Sequence, residues 1–192
     1  MQDKGTTPVR GRFVHLRPLS EIDRDLIYEL AIDPEVSHRW LFRGETPTRD
    51  EAFARTLHGS LASFAIVSNK TDDVAGIVIT HDHDFRNQRV GIAMAHRRHL
   101  RGAGWPLEGT AVMIDWLFRN WPFRKITALA TGFSADGTIR GAGRFFTEEA
   151  RIDDVVFWHG RRWALHMFAI YRDDWQKLSE RWKSQIPRGS AE

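Results

Sequence analysis

The segment RHLRGAGWPLEG, residues 98–109, lies between two stretches of different periodicity. RVGIAMAH (89–96), which precedes it, has the β-branched and apolar composition of a strand, and the residues after it repeat apolar side chains at helical spacing. Two glycines in three residues let a backbone approach a ligand closely, and the unpaired N–H groups that begin a helix attract anions. The segment therefore predicts a phosphate-binding loop. Pro106 removes one N–H donor from it, but proline suits the first residue of the helix.

The segments around this loop predict an α+β fold. A helix over 106–120 and a strand at 124–130 follow the loop, so that they form a βαβ unit with strand 89–96. The apolar face of this helix is predicted to contain Leu107, Ala111, Ile114, Phe118 and Trp121. The other predicted elements are a strand at 12–19, helices capped by Ser20 and Thr48, strands at 62–68 and 74–83, a hairpin turning at His159-Gly160 and a polar C-terminal helix. This order favours a mixed central sheet flanked by helices.

Length and composition indicate one globular domain. The chain has 192 residues, of which 42% are hydrophobic and 28% charged, so it can bury a core and does not resemble a disordered protein. We expect a single domain over 1–192, with its core at 12–176 and flexible ends at 1–10 and 185–192. No apolar run approaches bilayer length and the N-terminus lacks a secretory pattern, so we expect a cytoplasmic protein without a membrane span. The lack of cysteine excludes disulfides, thiolate catalysis and cysteine-ligated zinc.

The strand, the glycine loop, the amphipathic helix and the next strand resemble the core of the GNAT acyltransferases. Further segments point to the branch that contains the ribosomal-protein alanine N-acetyltransferases: VHLRPL (14–19), DPEV (33–36), GTAVMIDWLF (109–118), FFTEEARIDDVVFWHGRRW (145–163) and YRDDW (171–175). The similarity extends over residues 12–176, which is nearly the whole chain. It implies a GNAT-like acyl-CoA N-acyltransferase fold.

The resemblance implies an N-acyltransferase that moves an acyl group, in the first place acetyl, from acyl-CoA to a primary amine by direct attack. Acetyl-CoA or another acyl-CoA would be the co-substrate, and no tightly bound cofactor is expected. A backbone N–H near Ala93 to Ala95 would stabilise the charged carbonyl oxygen. The residues implied to hold acyl-CoA are Met94, Ala95 and His96 beside the pantetheine arm, and Arg101, Gly102, Ala103, Gly104 and Trp105 around the pyrophosphate.

The stretch THDHD (80–84) supplies the first candidates for a general base, because histidine titrates near neutrality. Strand alternation predicts His81 and His83 on one face, with Asp82 and Asp84 on the other. Asp82 is also a candidate contact for the amine substrate. We expect no metal site, because no further ligand stands at metal-binding spacing from these four side chains.

Four residues outside this stretch complete the candidate site. His96 ends the strand near the expected thioester and is a further candidate base. Ser134 could protonate the leaving group or hydrogen-bond to it. Trp40 and Arg43 lie in SHRWLFRGE (37–45), in the region where members of the family bind the acceptor, and are candidate substrate contacts.

Altered residues at the usual donor and catalytic positions of the family leave other functions open. Pro106, Ser134, Gly137, Phe145, Ala150, Ala164 and Val90 stand where the family carries other residues. The net charge is +3 and the pI about 9.6, because most basic residues are arginine. Arginines that could contact phosphates are Arg97, Arg98, Arg101, Arg161 and Arg162. One alternative is therefore a GNAT-fold transferase that uses an aminoacyl-tRNA as acyl donor, in natural-product biosynthesis, and the other is a non-catalytic ligand-binding module. The expected partners are the acyl donor, an amine or peptide acceptor and, in the first alternative, tRNA, with a monomer or a homodimer as the assembly.

Overall fold

The computed structural model describes residues 9–100, 104–134 and 146–184. Its strands are β1 (Val9–Arg10), β2 (Val14–Pro18), β3 (Ser63–Ser68), β4 (Val74–Asp84), β5 (Arg89–His96), β6 (Lys125–Thr131), β7 (Thr147–Trp158) and β8 (Arg161–Tyr171). Its longer helices are α1 (Arg24–Ile32), α2 (Arg49–Leu57), α3 (Gly104–Asn120) and α4 (Arg172–Ser184). Short 3₁₀ turns lie at Glu21–Asp23, Ser37–Arg39 and Arg98–Leu100, and residues 132–134 are helical. No helix in these ranges is long and apolar enough to cross a bilayer.

The described strands form one sheet in the order β1-β2-β3-β4-β5-β6-β8-β7. β5 and β6 are parallel, whereas the β1–β2, β2–β3, β3–β4, β6–β8 and β7–β8 pairs are antiparallel. A parallel pair needs a crossover connection, which α3 provides. The mixed sheet with its helices confirms the predicted α+β fold, and the two-residue strand β1 is an element that the sequence did not predict.

Helix α3 begins at Gly104, two residues before the predicted start. Pro106 is thus the third helical residue, and it fits because the first four N–H groups of a helix have no partner within the helix. The prediction that Leu107 lies on the buried face is wrong, since its side chain is 49% exposed. The buried face centres on Met113 and Leu117. Leu107 lies six residues before Met113, and six steps of about 100° turn it by about 240° beyond a full turn, away from the buried face.

The predicted N-cap of α2 and the predicted hairpin turn are both confirmed. Thr48 caps α2, because its Oγ1 accepts a hydrogen bond from the Glu51 N–H at 3.3 Å, and Glu51 in turn accepts one from the Thr48 N–H at 2.8 Å. The hairpin between β7 and β8 turns at His159 and Gly160, with φ of 51° and 73°. Two successive positive φ values define the two-residue turn that matches the twist of paired strands.

The contacts divide the chain into two compact units, residues 1–80 with 94–116 and residues 81–93 with 117–192. In the first unit α3 packs against β3. A Cβ on Gly109 would lie 2.6 Å from the Ile66 side chain, and the rings of Phe64 and Trp116 meet edge to face with centroids 5.3 Å apart. The absence of a side chain at Gly109 therefore sets how closely the helix approaches the strand.

In the second unit, Arg172 ties the end of α3 to the start of β6. Its guanidinium donates hydrogen bonds to the carbonyl oxygens of Phe123 at 2.8 Å, of Trp121 at 2.5 Å and of Phe118. Carbonyl groups at the end of a helix lack partners within it. Arg172 supplies three donors to this turn from a single side chain.

Replacing Arg172 with alanine is expected to lower the free energy of unfolding by about 2–3 kcal/mol, because three part-buried carbonyl groups lose a charged donor. Thermal unfolding followed by circular dichroism measures the change. Arg151→Ala is the matched control, since Arg151 forms an exposed ion pair with Asp153, and this variant should lose less than about 1 kcal/mol. Equal losses in both variants would show that Arg172 does not hold the turn.

A second cluster in this unit is sensitive to acid. Glu149 accepts hydrogen bonds from Lys125 Nζ at 2.7 Å and from the Tyr171 hydroxyl. Burial alone would raise the pKa of Glu149, but these two donors and the charges of Lys125 and Arg124 lower it below its ordinary value. A carboxyl with a lowered pKa stabilises the folded state at neutral pH, and this contribution is lost as the pH falls through the folded-state pKa.

Glu149→Gln should therefore lower the melting temperature at neutral pH and have progressively less effect as the pH falls below about 4.3, the ordinary glutamate pKa. Melting curves of both proteins between neutral pH and the acid range measure the difference. A difference that stays constant with pH would mean that the ionised form of Glu149 does not contribute to stability.

Candidate active site

The end of β5 carries the residues predicted to lie beside the pantetheine arm. Ala95 is buried, and Met94 and His96 are half-buried. A Cβ on Gly76 would lie 2.3 Å from the Ala95 carbonyl oxygen, so only glycine permits this approach. His96 Nδ1 lies 2.9 Å from the carbonyl oxygen of Arg97. A carbonyl can only accept, so Nδ1 carries the hydrogen and the neutral ring keeps its lone pair on Nε2.

Two arginines just before the glycine loop are ion-paired within the first unit. Arg97 Nη2 lies 3.1 Å from Glu29 Oε2, and Arg98 pairs with Glu35. Both guanidinium groups therefore have a carboxylate partner. This pairing removes part of the basis for assigning the arginine cluster to nucleic-acid phosphates.

The glycine loop leads directly into α3. Arg101, Gly102 and Ala103 lie outside the described residues, whereas Gly104 and Trp105 form the start of the helix, the first exposed and the second half-buried. A helix of 17 residues presents its unpaired N–H groups and the positive end of its dipole at this point.

Glu108 fastens this end of α3 to the loop before β2. Its carboxylate accepts hydrogen bonds from the N–H groups of Phe13, at 3.0 Å, and Arg12. A Cβ on Gly11 would lie 2.6 Å from Glu108 Oε1, so glycine leaves room for the carboxylate. Two N–H donors thus offset a negative charge that would otherwise weaken anion binding at this helix end. The sequence did not predict this contact, because its partners are 95 and 96 residues apart.

In the second unit, the imidazole of His81 lies on the backbone of β5 at Gly91. A Cβ on Gly91 would lie 2.3 Å from His81 Cε1 and 2.8 Å from Nε2, so only glycine admits the ring here. His81 Nδ1 lies 2.9 Å from Asp82 Oδ2. An ionised carboxylate only accepts, so Nδ1 carries a hydrogen and Nε2 of the neutral ring is a proton acceptor. The His81 side chain is 31% exposed, which leaves it accessible to a small amine.

The predicted separation of the histidines and aspartates of THDHD onto opposite faces is wrong. Asp82 has φ of 46°, a left-handed conformation that interrupts the alternation of side chains along β4. His81 and Asp82 therefore meet, while His83 is exposed, with its ring centroid 5.3 Å from that of Phe85. Among the described residues, no three His, Asp or Glu side chains are placed to share a metal ion.

Ala93 lies on the same face of β5 as Gly91. Val90 and Ile92 are 0% and 3% exposed and face the core, so alternation directs Gly91 and Ala93 to the opposite face. The parallel register with β6 ends where Ile92 lies opposite Ala128, and Ala93 is the first residue of β5 beyond it. Gly91 and Ala93 are about 7 Å apart along the strand.

The remaining predicted site residues lie elsewhere in the two units. Ser134 Oγ lies 3.0 Å from Thr131 Oγ1 at the end of β6. Trp40 is only 4% exposed and belongs to the core of the first unit, which leaves little of its ring for a substrate. Arg43 is exposed and has φ of 51° in the same loop. The sequence did not single out Gly91 or Glu108, because each acts through a contact with a residue distant in the chain.

Comparison with known proteins identifies the family of the chain. Residues 14–131, more than half of the chain, match the acetyltransferase (GNAT) domain family. No curated protein matches the sequence.

Solved structures share the fold. The chain is similar to a spermidine N-acetyltransferase from Vibrio cholerae in complex with CoA and spermine, with a TM-score of 0.76, 15% identity, and coverage of 86% of this chain and 99% of that one. For a GCN5-related N-acetyltransferase from Brucella melitensis the TM-score is 0.74 at 20% identity, with coverage of 97% and 88%. For a GNAT-family acetyltransferase from Bacillus anthracis the values are 0.70, 13%, 87% and 99%. The family match and the shared fold agree: the chain belongs to the GNAT acetyltransferase family and is an acyltransferase.

Proposed function

We propose that the protein transfers an acetyl group from acetyl-CoA to a primary amine, which attacks the thioester carbonyl directly. One arrangement carries the proposal. His81, oriented by Asp82, lies on Gly91 of β5, and Ala93 follows on the same face just beyond the ladder with β6. Acyl transfer to an amine requires a proton acceptor and a hydrogen-bond donor for the developing oxyanion. His81 is the proposed proton acceptor, and the N–H of Ala93 is the proposed donor.

In the proposed reaction, Nε2 of His81 accepts the proton of the attacking amine, and the negative charge of Asp82 stabilises the imidazolium that results. The N–H of Ala93 donates to the carbonyl oxygen as the carbon–nitrogen bond forms and the carbon–sulfur bond breaks. Ser134 donates a hydrogen bond to the leaving CoA thiolate, and the imidazolium of His81 then releases its proton to solvent. No serine or cysteine nucleophile is needed, because no acyl-enzyme forms.

The donor is proposed to lie along Met94 to His96, with its pyrophosphate at residues 101–105. Unpaired N–H groups and the helix dipole at the start of α3 favour an anion there. Pro106 provides no N–H, so its two preceding residues and the loop supply the donors. Near this site, the Glu108 carboxylate accepts hydrogen bonds from the N–H groups of Arg12 and Phe13, which partly offset its negative charge.

The acceptor is proposed to be the free amino group of a protein N-terminus, because the sequence resembles the branch that modifies ribosomal proteins. Spermidine, the substrate named for one structural neighbour, is the small-molecule amine to compare with it. Both are primary amines, so the same proton acceptor serves either.

Isothermal titration calorimetry with acetyl-CoA tests the donor. We expect saturable binding that free CoA displaces, and the same affinity in a His81→Gln variant, because His81 is assigned to proton transfer and not to CoA binding. Absence of heat at high micromolar acetyl-CoA would contradict the proposal.

A further inference from the structure

Two loops of the second unit each contain two arginines, a phenylalanine and an asparagine. DFRNQR (84–89) joins β4 to β5, and RNWPFRK (119–125) joins α3 to β6, and both place arginine beside an aromatic residue. They are held together by the Arg124 N–H, which donates to the Gln88 carbonyl oxygen at 2.7 Å. The fold therefore gathers arginines and aromatic rings from two distant segments on one surface.

The aromatic rings form a stack that ends at the surface. Phe123 is fully buried, and Phe85 lies on it with ring planes 14° apart and centroids 5.6 Å apart. Trp121 flanks Phe85 with centroids 5.5 Å apart. Phe85 nevertheless remains 47% exposed. A buried ring thus supports an exposed one. The His83 ring also meets Phe85, at 57° and with centroids 5.3 Å apart, and the part of Phe85 that stays exposed can stack on a further planar group.

Positive charge surrounds this stack. Arg86 and Arg124 are both exposed and form no ion pair with any described residue. The nearby carboxylate of Asp84 is already engaged, because it accepts hydrogen bonds from Asn87 and lies 3.6 Å from Arg89. The Arg86 guanidinium is available to an anion. That of Arg124 is exposed as well, although it lies over the Tyr171 ring, 5.5 Å from its centroid, and its charge acts on Glu149.

A cavity of about 310 Å³ opens beside the stack, with Gln88, Pro122, Arg124, Tyr171 and Asp173 in its lining. Its size is at the lower end of the range for ligand sites. The lining contains the guanidinium of Arg124, the amide of Gln88 and the ring of Tyr171, while the guanidinium of Arg172 is already bonded to carbonyl oxygens. Asp173 is the negative group that an anionic ligand would approach.

We propose that the surface formed by Phe85, Arg86, Trp121 and Arg124, here called the basic–aromatic surface, binds single-stranded nucleic acid. One base stacks on Phe85, and the adjacent phosphates bind Arg86 and Arg124. Stacking rings together with cations are the combination that unpaired strands require. An acidic peptide would use the arginines alone and give no role to the exposed ring. This activity goes beyond acyl transfer, because none of these four residues has a role in the proposed reaction.

Fluorescence anisotropy with a dye-labelled oligouridylate measures the binding at low salt. We expect affinity that falls with salt, and the combined Arg86→Ala and Arg124→Ala variant should reduce the log–log salt slope by about 1.4. Phe85→Leu keeps an apolar side chain on Phe123 while removing the π face, and should weaken binding about tenfold. Asp173→Asn should strengthen binding, and Arg151→Ala, which removes one exposed charge on β7, should leave the affinity unchanged.

Three results would overturn the proposal. The first is no binding at low salt, and the second is an Arg86/Arg124 variant that binds as tightly as Arg151→Ala does. The third is polyglutamate displacing the oligonucleotide while Phe85→Leu has no effect, which would assign the surface to an acidic protein partner. Melting curves of each variant verify that it is folded, and acetyl-CoA titration of the same samples separates a failure here from a failure of the proposed acyl transfer.

Discussion

Replacing His81 with glutamine is expected to lower kcat for acetyl transfer by about 10²- to 10⁴-fold, the usual contribution of a general base. Glutamine retains much of the volume that lies on Gly91, but it cannot accept a proton near neutral pH. The rise of the rate with pH that belongs to the deprotonation of the base should disappear in the variant. A stopped assay of CoA release across the pH range measures both effects.

His83→Gln is the matched control for this substitution. His83 lies two residues away, and its ring is exposed beside Phe85. We expect its rate to stay within about twofold of wild type and its pH profile to keep the wild-type shape, as for most surface changes. If His83→Gln lost activity while His81→Gln kept it, the proton acceptor would be His83, which the sequence also offered as a candidate.

Gly91→Ala is expected to reduce kcat by about 10- to 100-fold through displacement of the His81 ring, because a small shift of a catalytic group has an effect of this size. A Cβ at this position would lie 2.3 Å from Cε1 and 2.6 Å from Nδ1 of His81, so the ring must move. Affinity for acetyl-CoA should remain that of wild type, because neither residue is assigned to the donor.

A double-mutant cycle distinguishes displacement of the ring from a general weakening of β5. In a His81→Ala background there is no ring for the new Cβ to meet, so adding Gly91→Ala should change neither the rate nor the melting temperature further. An equal effect of Gly91→Ala with and without the histidine would show that glycine is required for the strand itself.

Strand β5 and α3 could be predicted closely from the sequence. RVGIAMAH forms β5 over the predicted residues, and α3 differs from the prediction only in starting two residues earlier. Both elements have strong periodic signals, and Pro106 limits where the helix can begin. The βαβ unit followed from the same signals, because two strands joined by a helix pair in parallel.

The arrangement of the site could not be predicted in the same way. Strand alternation separates His81 from Asp82, but a left-handed φ at Asp82 brings the two together. Nothing in a periodic pattern signals such a residue, since aspartate tolerates the conformation without requiring it. The contact of the His81 ring with Gly91 and the ion pairs of Arg97 and Arg98 likewise depend on the spacing of different chain segments.

The most direct test of acyl transfer is to incubate the protein with acetyl-CoA and a panel of amines, including an alanine-starting peptide and spermidine. CoA release and the mass of each amine are followed in the same samples. We expect at least one amine to gain an acetyl group in proportion to the CoA released, and His81→Gln to lower the rates of both signals together by about 10²- to 10⁴-fold. Binding of acetyl-CoA with no acetylated product from any amine would contradict the proposed reaction.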